Sequence, residues 1–190
     1  MSAAGPLFPV FLKLTDRTVV VVGGGVVATS KLKGLLDAGA LVTVIAPDVT
    51  PEIDARGVLI HRRRFEPADL DDAWLVVAAA PPAVNREVAA AAAQRRVFVN
   101  AVDDPPNASV YLGGVVRRGG VTVAISTDGQ APALAGLIRQ ALEALLPEPE
   151  VERWMATART ERAAWIRESV PIEQRRPLLL QALAALYKDQ

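Results

Sequence analysis

Apolar residues along this chain fall into short unbroken runs, each closed by glycine, proline or acidic residues. Thr18–Val22 (TVVVV) is β-branched throughout and stops abruptly at Gly23-Gly24-Gly25. A run with no polar alternation predicts a strand covered on both faces, as in a parallel sheet. Ala28, Leu32, Leu35 and Leu36 then recur at helical spacing and predict a helix over 26–38, with Gly39 as its stop. LVTVIA (Leu41–Ala46), Val58–His61, WLVVAA (Trp74–Ala79) and Val97–Val102 predict further strands. Between them lie a helical turn over Glu66–Ala73 and an alanine-rich helix over Ala83–Gln94, opened by Pro81-Pro82. Strands alternating with helical stretches predict an α/β fold, a Rossmann-like doubly wound parallel sheet.

Past residue 106 the pattern changes. Ser109–Arg117 and Val121–Ser126 are strand-like and joined by Arg118-Gly119-Gly120, a hairpin signal. Ala131–Leu146 is amphipathic, with Leu134, Leu137, Ile138 and Leu145 available to one face. Glu150–Glu168 and Glu173–Lys188 predict two more helices, with Pro177 in the first turn of the second, where it is tolerated. A hairpin is not stable alone, so this one is expected to complete a core with a second copy of the chain. The expected organisation is a dinucleotide-binding domain over 1–106, a dimerisation hairpin/helix region over 107–148 and a small helical C-terminal region over 149–190.

Composition narrows the function classes. The chain has 190 residues, 51% of them hydrophobic, which excludes disorder as the main state. Lys+Arg and Asp+Glu both number 21, so no bulk basic field recruits nucleic acid. There is no cysteine, which removes disulfides, thiolate metal sites and cysteine nucleophiles. His61 is the sole histidine and reads as a surface residue rather than a ligand, so no metal cage is expected. No apolar run approaches the ~18–20 residues that span a bilayer. The start lacks a positive segment ahead of its apolar residues, so a cytoplasmic location is expected, with no membrane partner.

The candidate chemistry begins at the first strand's end. Gly23-Gly24-Gly25-Val26-Val27-Ala28 reads G-x-G-x-x-A between a strand and a helix. Gly23 permits the tight turn, Gly25 clears space for a pyrophosphate, and Ala28 lets the helix pack closely on the strand. Free N–H groups at the helix start then face the anion. The second strand ends at Ala46-Pro47-Asp48, and Asp48 either holds ribose hydroxyls or caps a following helix. No arginine follows directly to accept a 2′-phosphate, which favours NAD over NADP. Asn100 and Asp103 sit at the carboxyl end of the strand over 97–102, where ligands bind such sheets. Asn100 is assigned to the cofactor. Asp103 reads as a general base or acid, as a metal ligand, or as a turn aspartate before Pro105-Pro106.

In order along the chain stand Leu7-Phe8-Pro9-Val10-Phe11, VVGGGVVA (Val21–Ala28), LLDAGALVTVIAP (Leu35–Pro47), LVVAA (Leu75–Ala79) with Val84-Asn85, VFVNAVDDP (Val97–Pro105) and VAISTDGQAPALA (Val123–Ala135). This ordered set resembles the precorrin-2 dehydrogenase/sirohydrochlorin ferrochelatase family, the dehydrogenase module of sirohaem synthases, over residues 7 to about 146. The resemblance implies oxidation of precorrin-2 to sirohydrochlorin with NAD as hydride acceptor. In some members ferrous iron is then inserted as a substrate of chelation, and related members serve cobalamin synthesis. It implies that Asp103 acts in both steps, that Val26, Val27, Pro47 and Asp48 contact NAD, that Ser126 and Thr127 lie in a loop near the substrate, and that the chain forms a homodimer through the region after the sheet. A substrate rich in carboxylates calls for arginine, and Arg117, Arg118 and Arg139 are the candidates, against a role as solvated surface charge.

Two departures stand out. Ala78-Ala79-Ala80-Pro81-Pro82 replaces the family's Ala-Ala-Thr-Asp/Asn-Asp, which removes a hydroxyl at Ala80. Asp128 replaces the first of two glycines after Ser126-Thr127, while Gly129 keeps the second. Two alternatives to the dehydrogenase remain at this level: a relative that only chelates, and a non-catalytic module that senses NAD or a tetrapyrrole.

Overall fold

The structure, a computed structural model, describes residues 5–188. Its first strand, β1 (Thr18–Val22), leads into helix α1 (Val26–Asp37), then strand β2 (Leu41–Ile45), the single-turn helix α2 (Pro51–Asp54) and strand β3 (Leu59–His61). Strand β4 (Leu75–Ala78), helix α3 (Pro82–Arg95) and strand β5 (Phe98–Ala101) follow. The strands form one five-stranded sheet in the order β3-β2-β1-β4-β5, and every pairing is parallel. The chain runs outward from β1 to β3 and then crosses back to β4 on the other side of β1. That reversal opens a crevice beyond the carboxyl ends of β1 and β4.

The uninterrupted apolar strands have a simple cause. Val20, Val22, Val76, Ala78, Val99 and Ala101 pack with Val88, Ala89 and Ala92 of α3. Val19, Val21, Val42, Val44, Leu75 and Val77 pack with Ala28, Leu32 and Leu35 of α1. Both faces of the sheet are covered, so alternate residues of one strand serve opposite cores. Pro82 opens α3 at its first position, as the Pro81-Pro82 pair leads one to expect.

The chain divides into two compact units after Leu112. The stretch 107–112, where the composition shifts, lies along β5. The N–H groups of Ser109 and Val110 donate to the Val99 carbonyl at 2.8 and 3.1 Å, and Ser109 Oγ accepts from Val99 N–H at 2.9 Å. The strand expected over 109–117 therefore starts late, as β6 (Gly114–Arg118), because its first residues are already bonded elsewhere.

In the second unit β6 pairs antiparallel with β7 (Val121–Ile125), and Arg118 faces Val121. The turn is thus Gly119-Gly120 alone, with φ of +51° and +88°. Two consecutive positive φ values make glycine the natural residue at both positions. Helices α4 (Pro132–Leu145), α5 (Glu148–Arg167) and α6 (Ile172–Ala185) complete the unit. Pro177 is not in the first turn of α6. The helix starts at Ile172, so Pro177 stands inside it, where the missing N–H forfeits a bond to the carbonyl four residues back. No helix among the described residues is long and apolar enough to cross a membrane.

Candidate functional site

The crevice at the end of β1 is a cleft of about 790 Å³, lined by the backbone of Gly23–Gly25, by Pro47 and Asp48 after β2, by Arg63, Arg64 and Phe65 after β3, and by Ala79–Pro81 after β4. Each glycine has its own reason. Gly23 adopts φ +117°, and a Cβ there would stand 2.2 Å from the Ala79 carbonyl oxygen. Gly24 is pressed on the next loop: a Cβ would stand 2.0 Å from the Asp48 carbonyl oxygen, and Thr50 N–H donates to the Gly24 carbonyl at 2.9 Å. Gly25 is different, because a Cβ there would meet nothing within 4 Å. Its missing side chain leaves open space in the cleft, which is the opening a pyrophosphate needs.

The start of α1 faces the same space. Gly25 is its N-cap, with no side-chain cap and no acidic residue in the first turn. The first N–H groups are therefore free for an anion. Val26 and Val27 stand exposed there, at 79% and 42%, whereas Ala28 is fully buried against the sheet. Thr29 Oγ1 shares a 2.8 Å hydrogen bond with Thr50 Oγ1, tying α1 to the segment after Asp48. The residues fit a dinucleotide: bare backbone, an uncapped helix start, and a cleft at the crossover.

Asp48 is exposed and lines the cleft. It does not cap α2, whose N-cap is Thr50. The arrangement also contains an arginine that reading directly past Asp48 does not find. Arg64 reaches the cleft from the neighbouring strand β3, whose His61 is level with Ile45 of β2. The signal was present as the Arg62-Arg63-Arg64 run after a short strand, but only the sheet order brings it to the cleft that Asp48 lines. Arg63 holds Asp69 through both carboxylate oxygens, at 2.9 and 2.5 Å. Burial pushes the Asp69 carboxyl upward, but the Arg63 hydrogen bonds, the Glu66 N–H and the charges of Arg63 and His61 outweigh it and hold the group below its ordinary value. Behind the cleft lining, Asn85, itself buried, accepts from Ala80 N–H at 3.0 Å and shapes the turn after β4.

Asn100 and Asp103 are not part of the cleft lining. Asn100 is buried, at 7% exposure. Its Nδ2 donates to the Val110 carbonyl at 3.0 Å, and its Oδ1 finds no partner among the described residues. Asp103 follows β5 in a turn with φ +55°, a conformation aspartate tolerates better than most residues. Its carboxylate is exposed and free of hydrogen bonds and ion pairs among the described residues.

Within the second unit, Ser126 Oγ accepts from Asp128 N–H at 3.1 Å and Thr127 Oγ1 accepts from Ala131 N–H at 3.2 Å, so both hydroxyls build the loop before α4. Asp128 and Gly129 take φ of +53° and +72° in that loop. Arg118 and Arg139 converge on Glu143, at 3.9 and 2.7 Å. Arg117 is exposed, and its guanidinium has no partner among the described residues.

A family model described as putative NAD(P)-binding matches residues 10–114, and one described as sirohaem biosynthesis protein central matches residues 118–145. Siroheme synthase 3 of Aeromonas hydrophila subsp. hydrophila is 45% identical over 145 residues, which are 74% of this chain and 31% of that protein. Siroheme synthase 2 of Yersinia pestis bv. Antiqua is 42% identical over 146 residues, again 74% of this chain and 31% of the relative. The chain thus spans about a third of the length of these curated relatives. A solved structure titled SirC, precorrin-2 dehydrogenase, superposes with a TM-score of 0.71 at 30% identity, covering 92% of this chain and 88% of that one.

Proposed function

Because the chain belongs to the NAD(P)-binding family of sirohaem biosynthesis, we propose that it oxidises precorrin-2 to sirohydrochlorin with NAD as hydride acceptor. The observation that carries this reading is the open backbone at Gly25, set against an uncapped helix start in the crevice of the sheet. When bound, NAD supplies an acceptor for the hydride that leaves the substrate carbon. The chain supplies the rest. The first N–H groups of α1 hold the pyrophosphate, Pro47 and Asp48 border the ribose, and Val26 and Val27 cover the dinucleotide's outer side. Asp103 takes the proton that leaves with the hydride, a role suited to its unpaired, accessible carboxylate. Arg117 and Arg118 meet substrate carboxylates, and Ser126 and Thr127 contact the substrate from the loop that follows β7.

The exposed leucines of α4, at 51% for Leu134, 63% for Leu137 and 72% for Leu145, support a homodimer formed through the second unit. We place the protein in the cytoplasm, where its dinucleotide is available. Ferrous iron is a further substrate in this reading, delivered to sirohydrochlorin after the oxidation. The product then goes to sirohaem or to cobalamin.

The test is anaerobic incubation of the protein with precorrin-2 and NAD, with and without Fe²⁺, followed by NADH absorbance and the spectrum of the macrocycle. NADH formation is the expected result. Binding of NAD without oxidation of precorrin-2 overturns the dehydrogenase and leaves a sensing module. Metal insertion into sirohydrochlorin without any oxidation of precorrin-2 identifies a chelatase only.

A further inference from the structure

Three consecutive arginines leave β3, and the structure gives each a different environment. Arg62 Nη2 donates to Asp54 Oδ1 at 2.5 Å, fastening the end of α2. Arg63 is held by Asp69 through both carboxylate oxygens. Arg64 has neither: its backbone carbonyl accepts from Arg63 Nη1 at 2.9 Å, while its guanidinium is exposed and without an ion pair among the described residues. Like Arg63, it lines the cleft with Pro47 and Asp48.

Its position along the sheet matters. Ile45 and His61 are level in the register of β2 and β3, and Ala46 N–H donates to the His61 carbonyl at 3.2 Å. The segments that follow the two strands therefore emerge side by side, at the edge where this fold type handles the adenosine ribose. Folds that select an unmodified ribose place a carboxylate at that strand end, and those that accept a 2′-phosphate place an arginine nearby. Here the residue directly after β2 is Ala46, which is buried. Asp48 stands two residues further on, Glu87 also lines the cleft, and among the described residues Arg64 is the one cation of the lining not already paired.

We propose that the cleft also takes the 2′-phosphorylated dinucleotide, NADP, and that Arg64 is the residue that reads the 2′-phosphate. This rests on the reading of the cleft as an NAD(P) site. A guanidinium matches a phosphate dianion through paired N–H donors, and an exposed, unengaged one has no existing ion pair to break.

The test is calorimetric titration of wild-type protein and of Arg64→Lys, Arg64→Ala and Arg64→Glu with NAD and with NADP, each at two salt concentrations. The wild type is expected to bind NADP within about tenfold of NAD, with the steeper salt dependence for NADP. Arg64→Ala and Arg64→Glu are expected to weaken NADP by about tenfold or more and NAD by less than about threefold. Arg64→Lys keeps the charge and is expected to fall between. Arg64 is exposed and unpaired, so the variants fold, and a circular dichroism melt checks this. Binding of NAD with no measurable NADP binding overturns the proposal while leaving the dehydrogenase intact. Equal loss of both dinucleotides in Arg64→Glu also overturns it, since the side chain then touches a part the two share. Failure of the wild type to bind either one removes the dinucleotide reading of the cleft itself.

Discussion

Gly24 lies so close to Asp48 that a Cβ on the glycine would stand 2.0 Å from the aspartate's carbonyl oxygen. The contact is backbone against backbone, so no side chain can swing away to relieve it. Gly24→Ala must push the 46–50 segment outward and strain the 2.9 Å bond from Thr50 to Gly24. We expect a loss of about 1–3 kcal/mol, read as a lower midpoint in a thermal melt. A melt unchanged within error would show that the two segments are not packed as described.

Gly25 responds differently. It is the N-cap of α1 in an extended conformation, with φ −84°, and aspartate is among the best residues for that position. Gly25→Asp is therefore expected to keep the melting midpoint or raise it slightly, by no more than about 1 kcal/mol of stability. The same carboxylate projects into the open space of the cleft and repels a pyrophosphate. Dinucleotide affinity is expected to fall by at least about tenfold in titration. Unchanged affinity would place the ligand elsewhere.

Asp103→Asn separates charge from shape. Asparagine accepts the same positive φ as aspartate, so the turn after β5 survives. The rate of NADH formation is expected to fall by about a hundredfold or more, with NAD affinity unchanged in titration. Equal loss of rate and NAD affinity would make Asp103 a binding residue instead of a base.

The Arg63–Asp69 pair gives a pH dependence. Asp69 titrates below its ordinary value in the folded chain. Its contribution is therefore present above the ordinary aspartate range and is lost as the pH falls below it. The gap in melting midpoint between wild type and Arg63→Leu is expected to be wide at neutral pH and to narrow from about pH 5 to pH 3. A gap that stays constant over this range would mean that Asp69 does not draw on Arg63.

Much of this architecture is written locally. TVVVV followed by three glycines identifies the first strand and the cradle, because β-branched runs and positive φ are properties of neighbouring residues. Asp103 could be placed at a strand end for the same reason. What could not be read is what depends on strand order. Arg64 lines the same cleft as Asp48 only because β3 pairs with β2, and no spacing in the chain encodes that. The late start of β6 has the same origin: Ser109 and Val110 look like strand residues, but a distant strand, β5, takes their N–H groups. Pro177 lies past the first turn whether the helix starts at Glu173, as the pattern suggests, or at Ile172, as it does, so its place inside the helix follows from the ~3.6-residue turn and not from the shifted start.

The laying of Ser109 and Val110 on Val99 also has a bearing on solubility. β5 is an outer strand of the sheet, and an outer strand with vacant backbone groups invites pairing with another molecule. The stretch 107–112 shields part of that rim. A chain cut after residue 106 would keep the whole sheet yet lose its guard, and such a fragment is expected to clump where the longer chain does not.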